Sequence, residues 1–108
     1  MKKSERFERG MEIIREYEDK SETPSYSITF DNLMDLDPEL ENYIVEFAFG
    51  DIYSREELSH KTKTLLTISS LVTQGLEPQL RLHVNTGLTV GITPNEIVSS
   101  IIHLLPYT

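Results

Sequence analysis

Apolar residues recur every three to four positions through most of this chain, the spacing of one face of an α-helix. Between Ser4 and Asp19 the stripe is Phe7, Met11, Ile14 and Tyr17, with Glu and Arg filling the intervening positions. It predicts an amphipathic helix of about four turns. Gly10 lies inside it, where glycine costs ~1 kcal/mol against alanine. Lys20 to Thr23 is a polar break, and Pro24 to Met34 reads two ways. Tyr26, Phe30, Leu33 and Met34 fit a short helix capped by Thr23, whereas Tyr26, Ile28 and Phe30 alternate as in a strand. With no second strand pattern to pair against, the helix is preferred. Asp37-Pro38 then opens another helix, with an acceptor at the cap and proline just inside. Leu40, Ile44, Phe47 and Ala48 are its expected buried stripe, widened by Tyr43 and Val45. Gly50 reads as its end and Asp51 to Glu57 as a loop.

The stretch from Ser59 to Gly91 predicts two helices back to back, joined at Gly75-Leu76-Glu77-Pro78. Leu65, Leu66, Ile68, Leu71 and Val72 form the apolar stripe of the first. Gly75 signals its end, and Pro78 suits the first turn of the next, where no backbone donor is needed. Leu80, Val84, Leu88 and Val90, with His83 among them, line the second, which stops at Gly91. Thr93-Pro94-Asn95-Glu96 has the form of a capping box, and Ile97, Val98, Ile101, Ile102, Leu104 and Leu105 follow. That last helix is apolar on more than one side, so part of it is expected to meet a helix outside a simple one-domain core. The pattern predicts an all-α protein: a bundle of about five to six helices in a single domain, 1–108.

Composition narrows the function classes. The chain of 108 residues has no cysteine, which removes disulfides, thiolate metal sites and a redox-active pair. Its formal charge of −8, from 18 acidic against 10 basic residues, opposes nucleic-acid binding, which depends on Lys and Arg neutralising phosphates. No apolar run approaches the ~18–20 residues of a membrane span, and the charged start MKKSERFERG is not a signal peptide. A cytoplasmic protein is the expectation.

The segment from Phe49 to Val98 resembles the carboxymuconolactone decarboxylase family, within the alkylhydroperoxidase D-like superfamily. The residues that carry the likeness are FGDIYSR (Phe49 to Arg55), EPQLRLH (Glu77 to His83) and GLTVGITPNEIV; HLLPYT (His103 to Thr108) fits the next block. The first 48 residues resemble it more loosely. The resemblance implies an all-helical fold that assembles through its central helices, as a homo-oligomer, trimer or hexamer. Family members generally continue with a Gly-Phe-Pro turn and one more helix, so a shortened member or a fragment is expected here, with apolar surface left uncovered.

The resemblance also frames the chemistry. Related peroxidases use a Glu and a CxxCxxxH motif, roles that fall on Thr64, Leu76, Gln79 and His83 in this chain. Only the histidine is kept, and neither Leu76 nor Gln79 can replace a thiol pair that attacks peroxide and resolves the sulfenic acid. Decarboxylation of an unsaturated lactone acid needs no cysteine. It needs a proton carrier for the carbon left electron-rich, and a cation for substrate carboxylates. The implied catalytic residues are His83 and His103. The implied substrate-binding residues are Arg81 as carboxylate anchor, Gln79 on the His83 face of its helix, and Thr64, where the family commonly places a catalytic Glu. No cofactor and no metal are expected, since His60, His83 and His103 show no ligand spacing.

Each residue has a structural alternative. His83 on a mostly apolar helix reads as well as a hydrogen-bonded core histidine, Arg81 as an ion pair, His103 as an interfacial residue and His60 as solvated. Two functions follow: a cofactor-independent carboxy-lyase acting on a small carboxylated molecule, or a catalytically silent oligomer with a binding or accessory role.

Overall fold

A computed structural model describes residues 3–18, 32–33 and 35–108. The elements among these residues are all helical, in keeping with the all-α expectation. The segment read as a helix or strand at Pro24 to Met34 falls mostly outside them. The chain groups into two compact units, Met1–Glu57 and Leu58–Thr108.

In the first unit, α1 spans Glu5–Tyr17. Ser4 caps it, its Oγ accepting from the Phe7 amide at 3.1 Å, and Glu5 and Glu8 oppose the positive end of the helix dipole. The buried face is Phe7, Gly10, Ile14 and Tyr17, while Met11 is only half-buried. Gly10 takes the central place because α2 passes directly over it. A methyl group there would overlap the Val45 carbonyl oxygen and lie 2.9 Å from Val45 Cγ1. The glycine read as a helical liability is thus the point of closest approach between two helices.

Helix α2 begins as Glu39–Tyr43, with Asp37 Oδ1 accepting from the Glu39 amide at 2.9 Å, and continues as a π-helix over Ile44–Tyr53. This corrects two expectations. The helix does not end at Gly50 but runs through the predicted loop to Tyr53. Its buried residues are Val45, Phe49 and Gly50, while Phe47, expected inside, is 61% exposed. The reason is the repeat: hydrogen bonds reaching one residue further than in an α-helix widen the turn to about 4.4 residues, and rows drawn at α-helical spacing rotate off the core. Gly50 faces Arg6, whose carbonyl oxygen a Cβ would overlap. Its own carbonyl accepts from Arg9 Nε at 2.6 Å and from Ser54 Oγ at 2.5 Å. Tyr53 stacks on Phe49 at 4.7 Å and meets Tyr17 edge-on at 5.2 Å, closing the far end. At the surface Arg6 holds Asp51 through Nε (3.1 Å) and Nη2 (2.7 Å), and this hydrogen bonding keeps the Asp51 carboxyl below its ordinary range.

In the second unit, α3 spans His60–Gln74, α4 spans Glu77–Thr89 and α5 spans Pro94–Leu104, followed by a 3-10 turn at Leu105–Tyr107. Ser59 caps α3, and Gly75, in the left-handed region at φ 72°, ends it as the sequence predicts. Pro78 lies in the first turn of α4. Both bonds of the capping box on α5 are formed: Thr93 Oγ1 accepts from the Glu96 amide at 3.1 Å, and Glu96 Oε1 from the Thr93 amide at 2.9 Å. The buried face of α3 is Thr64, Ile68 and Leu71; that of α4 is Thr86 and Gly87. The wider apolar stripes are not fully enclosed. Leu66 is 57% exposed, Leu88 is exposed, and Leu65, Val72, Leu80, Val84 and Val90 are half-buried. Small residues, Thr64, Thr86 and Gly87, lie on the buried faces beside Ile68 and Leu71, while Leu66 and Leu88 stay exposed. On α5 only Ile97 is buried; Val98 and Ile102 are exposed, as is Leu105 at the start of the 3-10 turn.

Candidate functional site

All five residues singled out from the sequence lie in the second unit, and helical geometry sorts them. Gln79 and His83 are four positions apart on α4 and share a face, whereas Arg81 is two positions from each, about 200° around the helix. The structure follows this division. His83 is half-buried with Nδ1 shielded from solvent. Arg81 is exposed, and its Nη2 donates to Glu77 Oε1 one turn earlier at 2.8 Å. Gln79 is exposed at the first turn. His83 and Arg81 of one chain therefore do not converge.

Burial pushes the His83 imidazole below the ordinary histidine value, because the charged form loses hydration in an apolar setting. Burial thus favours the neutral imidazole. An anionic group beside it would restore its basicity and convert it to a donor.

Thr64 is 1% exposed, and its Oγ1 donates to the His60 carbonyl at 2.8 Å. Its methyl faces Gly87: a Cβ there would sit 3.4 Å from Thr64 Cγ2, 3.5 Å from Ile92 Cδ1 and 3.6 Å from Ile97 Cδ1. Thr64 is thus the seam of three elements, α3, α4 and α5.

His103, in the last turn of α5, is exposed and faces Tyr107, ring centroids 6.0 Å apart and tilted by 46°. Sequence spacing of four residues could have suggested this pair, but the proline between them obscures the helical register. His60, read as solvated, is half-buried in the first turn of α3. Lys61, also passed over, lies across Gly91: a Cβ on that glycine would approach Lys61 Cε to 3.2 Å. Its charge adds to the Thr93 hydrogen bonds that hold the Glu96 carboxyl below its ordinary range. Gly91 has φ 97°, a conformation glycine adopts at little cost, so this crossing depends on it twice.

Among the described residues no group of three or more His, Asp or Glu side chains could hold a metal ion. No helix among them is long and apolar enough to cross a membrane.

Comparison with known proteins gives these positions a context. The model of the Carboxymuconolactone decarboxylase family matches residues 38–108, a span that contains Thr64, Gln79, Arg81, His83 and His103. The chain is 30% identical over 107 residues to the 4-carboxymuconolactone decarboxylase of Acinetobacter baylyi, covering 99% of this chain and 78% of that protein. It is 39% identical over 71 residues to an uncharacterized 15.0 kDa protein of Paracoccus denitrificans, 64% of this chain and 53% of the relative. It is 31% identical over 64 residues to the nitrosuccinic acid decarboxylase of Metarhizium robertsii, 59% of this chain and 45% of the relative. The chain spans about half the length of these last two.

Proposed function

This chain belongs to the carboxymuconolactone decarboxylase family, and from that premise we propose that it is a cofactor-independent carboxy-lyase acting on a small carboxylated, lactone-type acid. Two relatives with decarboxylase names support the reaction class. The observation that carries the reading is His83, half-buried on α4 and depressed in pKa by its surroundings.

In the proposed reaction the substrate carboxylate settles beside His83 and raises its proton affinity, so that the imidazole takes up a proton on binding. The bond between carbon and the carboxylate breaks, carbon dioxide leaves, and the electron pair stays on carbon, delocalised into the unsaturated carbonyl system. The imidazolium then delivers its proton to that carbon and is recharged from water. Gln79, on the same face, orients ring or substrate in this reading. His103 is a second proton carrier, with Tyr107 beside it.

A carboxylate anchor must come from elsewhere than the same chain's Arg81, which faces away. The exposed apolar side chains of α3 and α5 suit a second copy, and in such a homo-oligomer the Arg81 of one copy serves the His83 of another. The test is turnover of 4-carboxymuconolactone by the purified protein, followed by loss of lactone absorbance, with His83→Ala as control. Turnover lost in that variant supports the reading; equal turnover in both removes His83 from it.

One observation favours the silent-oligomer reading. Thr64 stands where the family commonly places a Glu, and its hydroxyl is already committed to the His60 carbonyl inside the helix seam. A folded, assembled protein with no turnover of any carboxylated lactone would support that second reading.

A further inference from the structure

Among the described residues, two exposed apolar rows differ in their electrostatics. The row formed by Val98 and Ile102 of α5 and Leu105 of the following 3-10 turn lies in a stretch with one acidic residue, Glu96, and no Lys or Arg from Pro94 to Thr108. That neutral surface suits self-association. The row on α2 is Tyr43, Phe47 and Ile52, 64%, 61% and 50% exposed. Between residues 35 and 57 the sequence has eight acidic side chains against one basic, Arg55. Of these, Glu46 and Asp51 are paired with Arg6 and Arg9 of α1 and Glu57 with Arg55, so the acidic excess rests on Asp35, Asp37, Glu39, Glu41 and Glu56.

The α2 row is a product of the π-helix. On an α-helix Phe47 and Ile52 would lie about 140° apart and form no row. At about 4.4 residues per turn, steps of four and five bring Tyr43, Phe47 and Ile52 within roughly 50° of one another. The fold holds this rare geometry in place from the other side. Gly50 lets α1 approach at Arg6, and Arg9 and Ser54 both donate to the Gly50 carbonyl. π-helical turns are found disproportionately at functional positions. Here the turn's outward consequence is an exposed apolar row in an acidic segment, with Glu39 accepting from the Tyr43 hydroxyl at 3.4 Å.

We propose that the Tyr43–Phe47–Ile52 row is a docking surface for a cationic amphipathic helix of another protein. The apolar face of such a helix covers the row while its Lys and Arg side chains meet the acidic side chains of the segment, the arrangement by which amphipathic helices enter apolar grooves. Charge argues against a second copy as occupant. Two such faces brought together would oppose several like charges within a Debye length of ~8 Å. The same argument sets this row apart from the neutral one on α5. The proposal is independent of any catalytic role for His83.

The test is a fluorescence anisotropy titration of the full chain against a labelled Leu/Lys peptide of about four turns, with its leucines on one face. A Leu/Glu peptide of the same apolar pattern is the charge control. Phe47→Ser with Ile52→Ser, both at exposed positions, is expected to weaken Leu/Lys binding by at least tenfold with unchanged far-UV circular dichroism. Ile102→Ser with Leu105→Ser is expected to leave it within twofold. The Leu/Glu peptide should bind at least tenfold more weakly than the Leu/Lys peptide. Equal binding by wild type and the Phe47/Ile52 variant would overturn the proposal, showing that the peptide meets only diffuse negative charge. So would a fall in assembly mass in that variant, measured by sedimentation equilibrium, since the occupant would then be a second copy.

Discussion

Replacing Gly10 by alanine separates local helix propensity from tertiary contact. In an isolated helix the change is stabilising by ~1 kcal/mol. In this protein the added methyl would overlap the Val45 carbonyl oxygen and press on Val45 Cγ1 at 2.9 Å. A backbone carbonyl inside a helix cannot swing aside, so α1 and α2 must separate. Overpacking of a close contact costs about 1–3 kcal/mol, and a fixed obstacle places this case at the upper end. Val45 and Phe49, fully enclosed at the same seam, would lose part of burial worth ~1.5–3 kcal/mol each. After the propensity gain is subtracted, the net expectation is a loss of about 2 kcal/mol. That corresponds to a fall in Tm of roughly 8–16 °C for a domain of this size. The assay is urea and thermal denaturation by circular dichroism at fixed protomer concentration, with Gly87→Ala alongside. At Gly87 a Cβ meets its neighbours at 3.4–3.6 Å, ordinary van der Waals contact, so the same substitution should be neutral or stabilising by up to ~1 kcal/mol. A Gly10→Ala protein as stable as wild type would refute the close-approach argument.

Further outcomes follow from the second unit. His83 is held below its unfolded pKa, so the unfolded chain binds the extra proton more readily. Stability is therefore full above about pH 6.5 and falls as pH drops through that value toward the folded pKa. His83→Gln should flatten that limb of a stability–pH curve between about pH 7 and 5, where the lowered carboxylates Asp51 and Glu96 do not yet titrate. Thr93→Ala removes the acceptor for the Glu96 amide and should cost about 1 kcal/mol by denaturant titration. If neighbouring copies share a site, co-expressed Arg81→Ala and His83→Ala chains should recover turnover that neither variant shows alone. No recovery in mixed assemblies would place the carboxylate anchor at another residue.

Local chemistry was fully legible wherever a single residue type sets it. Thr93 caps the helix that the apolar periodicity starts there, and Gly75 ends α3, because caps and left-handed turns depend on side chains a few positions away. The family could likewise be read from motifs around His83. What periodicity could not supply is which side of a helix meets its neighbour, when that neighbour is chosen by close backbone approach. Gly10 looked like a defect and Gly50 like a terminator; each is where one helix lets another in. Phe47 looked buried because its spacing was judged at 3.6 residues per turn, and only packing against α1 settles the wider turn that places Val45 and Phe49 inside. Likewise His83 and Arg81 sit two apart in a motif that presents them together, yet a helix turns 100° per residue and sends them to opposite faces. Side-chain chemistry read along the chain gives the helices, most of their ends and the residue types available for reaction. The tertiary structure decided which faces are enclosed and which candidate residues can meet, because enclosure depends on distances between backbones far apart along the chain.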